Sequence, residues 1–245
     1  MDLNKTVFIT FDIDWACDEV IRESLHLVES EGIRSTFFLT HVTEVFEGYE
    51  NSDQIELGAH PNFNNLLNGP PITSGGVQQI VKDIKEVVPS AVSVRSHSLT
   101  QNTRLLDLFM SHGFTHDVNL LIPAQSGIEL APFRNWGGLI RVPYFWEEDV
   151  HCLFLEEGRE HGWDPSRFLD SPGLKIFNFH PIHVFLNTEH LSRYDRSRAL
   201  LKNPDALVAY KNPDPVKGTC HFLKALIAEA KKRNMDFGLI REITV

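Results

Sequence analysis

The chain is predicted to be an α/β protein, and three features of its 245 residues carry that expectation. Short β-branched and aromatic runs alternate with helix-like segments and do not gather in blocks, the order expected when strands and helices share one sheet system. Ionisable side chains stand where several of these apolar runs stop, the end at which α/β sheets place their sites. With 42% hydrophobic and 10% aromatic residues, the chain has enough apolar surface for a sizeable core.

Taken in order, the strand-like runs are VFITFDID, STFFLT, IELGAH, AVSVRSH, FTHDVNL, GLIRVPYF, LKIFNFHPI and FGLIREI. Among the helices, Asn102 is placed to cap NTRLLDLFMSHG. Leu105, Leu106, Phe109 and Met110 form its apolar stripe and Gly113 its stop. The last helix is expected to start with Asp214 as cap and Pro215 in the first turn. It would bury Phe222, Leu223, Leu226 and Ile227 and end on Lys231, Lys232 and Arg233. Residues 61–76 and 188–213 read as irregular, candidate substrate loops within one domain spanning 1–245.

The formal charge of −10 argues against nucleic acid and anionic membrane, both of which need a basic face. No run approaches the length of a bilayer span, and no basic segment followed by an apolar stretch opens the chain, so a cytoplasmic protein is expected. Cys17, Cys152 and Cys220 are odd in number and far apart, which suggests buried thiols, not a disulfide framework or a cysteine zinc site.

The segment TFDID holds two carboxylates, Asp12 and Asp14, at the end of an apolar run. In a strand, residues two apart face the same side, so these two would project together. Like charges buried so closely need a cation or a shared proton; the alternative is a helix cap, which suits Asp18 and Asp14. Other strand ends repeat the theme with His60, Arg95, His97, His116, Asp117 and His180. Histidines and a carboxylate gathered at one end of a sheet suggest a metal-assisted hydrolase with an open coordination position.

TFDID, GAHPNFN, VRSHS, HGFTHDVNLLIP, LIRVPYF and FNFHP, in that order from about Thr6 to His183, resemble the motifs of the polysaccharide deacetylase superfamily, the NodB-homology domain of carbohydrate esterase family four. The resemblance implies a single-domain distorted (β/α) barrel of about seven repeats, a divalent metal, most often Zn2+, and removal of an N-acetyl group from a carbohydrate. It implies Asp12 as catalytic base, Asp14 and His60 as metal ligands, Arg95 as the group orienting the base and His180 as general acid. Asp117 is the candidate for tuning His180, with a turn-forming role as the alternative.

Two departures stand out. Where the family carries a second metal histidine, this chain has Asn64, a poorer ligand than imidazole. Two residues after Arg95, where a proline is usual, it has His97, which can supply the missing imidazole or else hydrogen-bond the substrate or a neighbouring loop. The third ligand is therefore left between Asn64, favoured by position, and His97. Tyr144 and Trp146 are candidates for stacking a sugar, with strand core as the alternative, and Glu147, Glu148 and Asp149 for meeting a liberated ammonium. The expected substrate is a nucleotide-linked, lipid-linked or small acetamido sugar, in surface polysaccharide or lipopolysaccharide assembly. Hydrolysis of a cyclic ureide or imide, and a degenerate carbohydrate-binding domain without catalysis, are the alternatives.

Overall fold

The computed structural model describes residues 1–68, 76–160 and 162–245. Its first element, β1 (Thr6–Asp12), is buried at every position, as an apolar strand covered on both faces must be. In chain order there follow α1 (Asp18–Ser30), β2 (Ser35–Leu39), β3 (Ile55–Ala59), α2 (Asn64–Asn68), α3 (Gly76–Val87), β4 (Ser93–Val94), α4 (Thr103–Ser111) and β5 (His116–Asp117). Then come β6 (Phe133–Arg134), β7 (Ile140–Arg141), β8 (Trp146–Glu147), α5 (Glu148–Glu156), α6 (Ser166–Asp170) and β9 (Lys175–Phe179). The chain ends with α7 (Pro181–Leu186), α8 (Leu191–Ser197), α9 (Pro204–Val208), α10 (Thr219–Lys232) and β10 (Asp236–Phe237).

The strands make one curled, mainly parallel sheet in the order β6-β7-β5-β4-β3-β2-β1-β9-β8, with β10 paired to the start of β1. Residues 140–147 join its two sides. β7 pairs with β5, Tyr144 bridges to Leu121, and β8 pairs with β9, so one bent run carries the chain across the gap. This is the distorted α/β barrel, and its strand ends converge on one rim. Gly58 is required inside it: a Cβ there would stand 2.5 Å from the Phe38 ring, which supports Arg95.

Several local expectations are corrected. β4 and β5 have only two residues each, and FGLIREI contributes only Phe237 to a strand. Its remainder turns under the barrel. There the backbone N–H of Arg241 donates to the buried Glu56, and His116 Nε2 lies 2.9 Å from the Ile243 carbonyl oxygen. Asn102 caps α4 by accepting from the Leu105 N–H. The last helix begins at Thr219 and not near Asp214, because Asp214 accepts the Val216 N–H in a turn and Gly218, at φ 114°, sets the chain direction. Its apolar face is buried as expected. Residues 188–213 hold α8 and α9, capped by the His190 and Asn203 side chains, where an irregular stretch was expected. Of residues 61–76, positions 64–68 are helical and 69–75 lie outside the described residues. Among the described residues no helix is long and apolar enough to cross a membrane.

Candidate active site

At the rim where β1, β3 and β9 end, a cavity of about 220 Å³ is lined by residues including Asp12, Asp14, His60, His97, Glu147, Asp149 and His180. Asp12 is the last residue of β1 and is buried. Its Oδ1 accepts from Arg95 Nη1 at 3.0 Å and its Oδ2 from Asn178 Nδ2 at 3.0 Å. Arg95 is fully buried and lies between the rings of Phe38 and Tyr144, each 4.6 Å from its guanidinium carbon. It also donates to Thr10 Oγ1, to the Val118 carbonyl and to Asn178 Oδ1. Burial opposes ionisation of Asp12, but Arg95, with His60 and His180, outweighs it and holds the carboxyl below its ordinary pKa.

Asp14 does not share a strand face with Asp12, since β1 has already ended. Its φ of 45° turns the chain, and the turn brings both carboxylates toward His60. His60 Nδ1 is 3.7 Å from Asp12 Oδ1, and His60 Nε2 is 3.3 Å from Asp14 Oδ1. His97 lies in the turn after β4, where Ser98 and Leu99 have φ of 55° and 52°, and its Nδ1 is 3.1 Å from the same Asp14 oxygen. Burial disfavours the Asp14 carboxylate, yet the two imidazoles beside it hold its pKa well below the usual range. Among the described residues, Asp14, His60 and His97 bring one donor atom each within 4.8 Å of one another. The Asn64 side-chain amide donates to Ser98 Oγ.

The donor set suits a divalent metal. His60 is buried, and neither of its ring nitrogens has a hydrogen bond among the described residues, a costly state that a ligated ion relieves. One carboxylate oxygen and two imidazoles are a zinc-type set.

His180 stands at the N-cap position of α7 and lines the same cavity. Its Nδ1 lies 2.8 Å from Glu148 Oε1, and that oxygen also accepts the His180 backbone N–H. Burial lowers an imidazole pKa, but here the Glu148 carboxylate, helped by Asp14 and Asp12, reverses the effect and raises it well above the ordinary value. Asp117, expected beside His180, is elsewhere. It is buried in an ion pair with Arg141 at 2.5 Å and accepts from Asn119 Nδ2, while Asn119 Oδ1 accepts the Ser96 N–H. Asp117 therefore braces the turn that carries His97.

Tyr144 and Trp146 do not face the cavity. Tyr144 is fully buried under Arg95 and donates to Glu147 Oε2, and Trp146 stacks on Phe222 at 4.3 Å, so both belong to the core. Glu147 and Asp149 do line the cavity, and burial, reinforced by Asp149, pushes the Glu147 pKa up to about 8. The sequence reading missed Asn178, His183 and Tyr194. A polar residue inside the apolar run IFNF was the available signal for Asn178; His183, one helical turn past His180, was the other.

Over residues 9–198 the chain matches the family described as WbmS-like polysaccharide deacetylase. Among solved structures, WbmS of Bordetella bronchiseptica, described as a polysaccharide deacetylase involved in O-antigen biosynthesis, is 41% identical. The match covers 93% of this chain and 92% of that one, with a TM-score of 0.84. A peptidoglycan N-acetylglucosamine deacetylase is 11% identical over 98% of this chain and 87% of that one, at a TM-score of 0.50, a likeness of fold alone. No curated protein matches the chain.

Proposed function

This chain belongs to the WbmS-like polysaccharide deacetylase family, and from that premise we propose that it is a zinc-dependent hydrolase removing the N-acetyl group of an acetamido sugar. One observation carries the reading. Across a single cavity, Asp12 is held ionised and His180 is held protonated, the opposed pair that acid–base hydrolysis of an amide requires.

Asp14, His60 and His97 are the proposed metal ligands, and a bound divalent ion would polarise the acetamide carbonyl and acidify the attacking water. Asp12 takes the proton of that water, with Arg95 and Asn178 fixing the carboxylate plane. Ser98 lines the cavity, and its backbone N–H is the proposed donor to the oxyanion. His180, fixed through Nδ1, has Nε2 free to give its proton to the nitrogen as the C–N bond breaks. Asp149 lines the cavity as the carboxylate placed to meet the ammonium that forms, while Glu147, its pKa raised to about 8, is largely neutral near pH 7.

The relative's role in O-antigen biosynthesis supports a substrate from surface polysaccharide or lipopolysaccharide assembly. The three free cysteines fit a reducing compartment. The proposed setting is therefore the cytoplasm, with the sugar carried on a nucleotide, a lipid or a short oligosaccharide. The test is acetate release by zinc-loaded protein from a panel of such sugars, with chelator abolishing it. Cleavage of a cyclic ureide or imide with no acetate released from any sugar would overturn the proposal.

A further inference from the structure

The wall of the cavity beyond His180 comes from residues that none of the motif positions supplies. One turn along α7, the buried His183 lines the cavity with its ring centre 5.9 Å from that of His180. Its Nδ1 is 3.0 Å from Thr188 Oγ1. Thr188 is itself anchored, because its carbonyl accepts both the N–H and the hydroxyl of Thr219 at the first turn of α10. The ring is thereby fixed with Nε2 as its free nitrogen, unbonded among the described residues. From α8, Tyr194 sets its ring 5.0 Å from His183 and lines the same cavity, and its hydroxyl also has no partner among the described residues.

We propose that His183 and Tyr194 form the subsite for the sugar ring that carries the acetamido group. Tyr194 lies against the apolar face of the pyranose, and His183 Nε2 hydrogen-bonds one of its hydroxyls. The inference rests on the deacetylase reading and deepens it. His180 must reach the nitrogen of the leaving sugar, so the ring bearing that nitrogen lies beside His180, against the wall formed by His183 and, packed on His183, Tyr194. A sugar offers one C–H face and a rim of hydroxyls, and this wall offers an aromatic plane with two unpaired polar tips. A cyclic imide has no hydroxyl rim and would leave both tips unpaired and desolvated.

The test compares kcat and KM of zinc-loaded wild type, Tyr194→Phe, Tyr194→Ala and His183→Ala on an N-acetylated aminosugar and on trifluoroethyl acetate, a small aliphatic ester. Tyr194→Ala and His183→Ala are expected to lose about tenfold or more in kcat/KM on the sugar, mainly through KM, and less than about threefold on the ester. Tyr194→Phe keeps the ring but not the hydroxyl, and is expected to lose less of the sugar activity than Tyr194→Ala. Should His183→Ala fail to fold, His183→Gln takes its place. Equal losses on the two substrates, or an unchanged KM for the sugar, overturn the subsite while leaving the deacetylase reading in force. A wild type that cleaves the ester but no acetamido sugar overturns both.

Discussion

The Oε1 atom of Glu148 lies 2.8 Å from Nδ1 of His180 and 2.6 Å from the His180 backbone nitrogen. One buried carboxylate thus fixes the orientation of the ring and favours its charged form. Because the His180 pKa is raised, the acid form persists as pH climbs. Glu148→Gln removes the largest influence that opposes burial and so lowers that pKa. The expected result is an alkaline limb of kcat shifted to lower pH, with turnover down by about tenfold or more near neutrality. Rate profiles of wild type and variant check this, and an unmoved limb would remove Glu148 from the acid's control.

Asp12 serves the fold as well as the chemistry, because Arg95 is fully buried and its one carboxylate contact among the described residues is Asp12. Asp12→Asn is expected to lower turnover about 100-fold or more, the scale of a lost general base. It also strands a buried guanidinium, at a cost of about 3 kcal/mol, the lower end for a broken buried pair. Thr10, Asn178 and the Val118 carbonyl still hold Arg95, so the variant should fold. Denaturant melts and single-turnover rates measure the two effects separately. Near-native turnover in metal-loaded variant protein would end the assignment of Asp12 as base.

His97 and Asn64 differ in the metal affinity they would supply. His97→Ala should release zinc to chelator at concentrations that leave wild type loaded, because it removes one imidazole of a three-ligand set. Asn64→Ala removes only a contact to Ser98 and should retain the ion. Metal content after dialysis against graded chelator decides the matter, and the opposite order would return the third position to Asn64.

His151, on α5, provides a pH effect outside the site. It is packed among Trp146, Trp163 and Phe222, and burial pushes its pKa down to about 4. The unfolded imidazole takes up a proton near pH 6.5, while the folded one resists until about pH 4. Stability therefore falls as pH drops through that window. Between pH 7 and 4.5 the melting temperature of wild type should fall relative to that of His151→Gln as the pH drops. Parallel curves would show that His151 is not the source of the slope.

Sequence by itself determined the alternation of strands and helices, the Asn102 cap and the apolar face of the last helix. It also put Asp12, His60, Arg95 and His180 where strands end, since a polar residue closing an apolar run is a local signal. Turn geometry and sheet order decided the partnerships. The φ of Asp14 bends the chain so that its carboxylate meets His60 and His97, and the turn after β4 delivers His97 to the cluster while Asn64 bonds Ser98. Asp117, the residue nearest in expectation to His180, went to Arg141. Asn178 reached Asp12 across 166 residues because β9 pairs with β1 in register, Thr10 beside Asn178. Glu148 found His180 because β8 pairs with β9 and carries the start of α5 alongside that strand's end, a contact made by sheet order, which no local pattern of residues encodes.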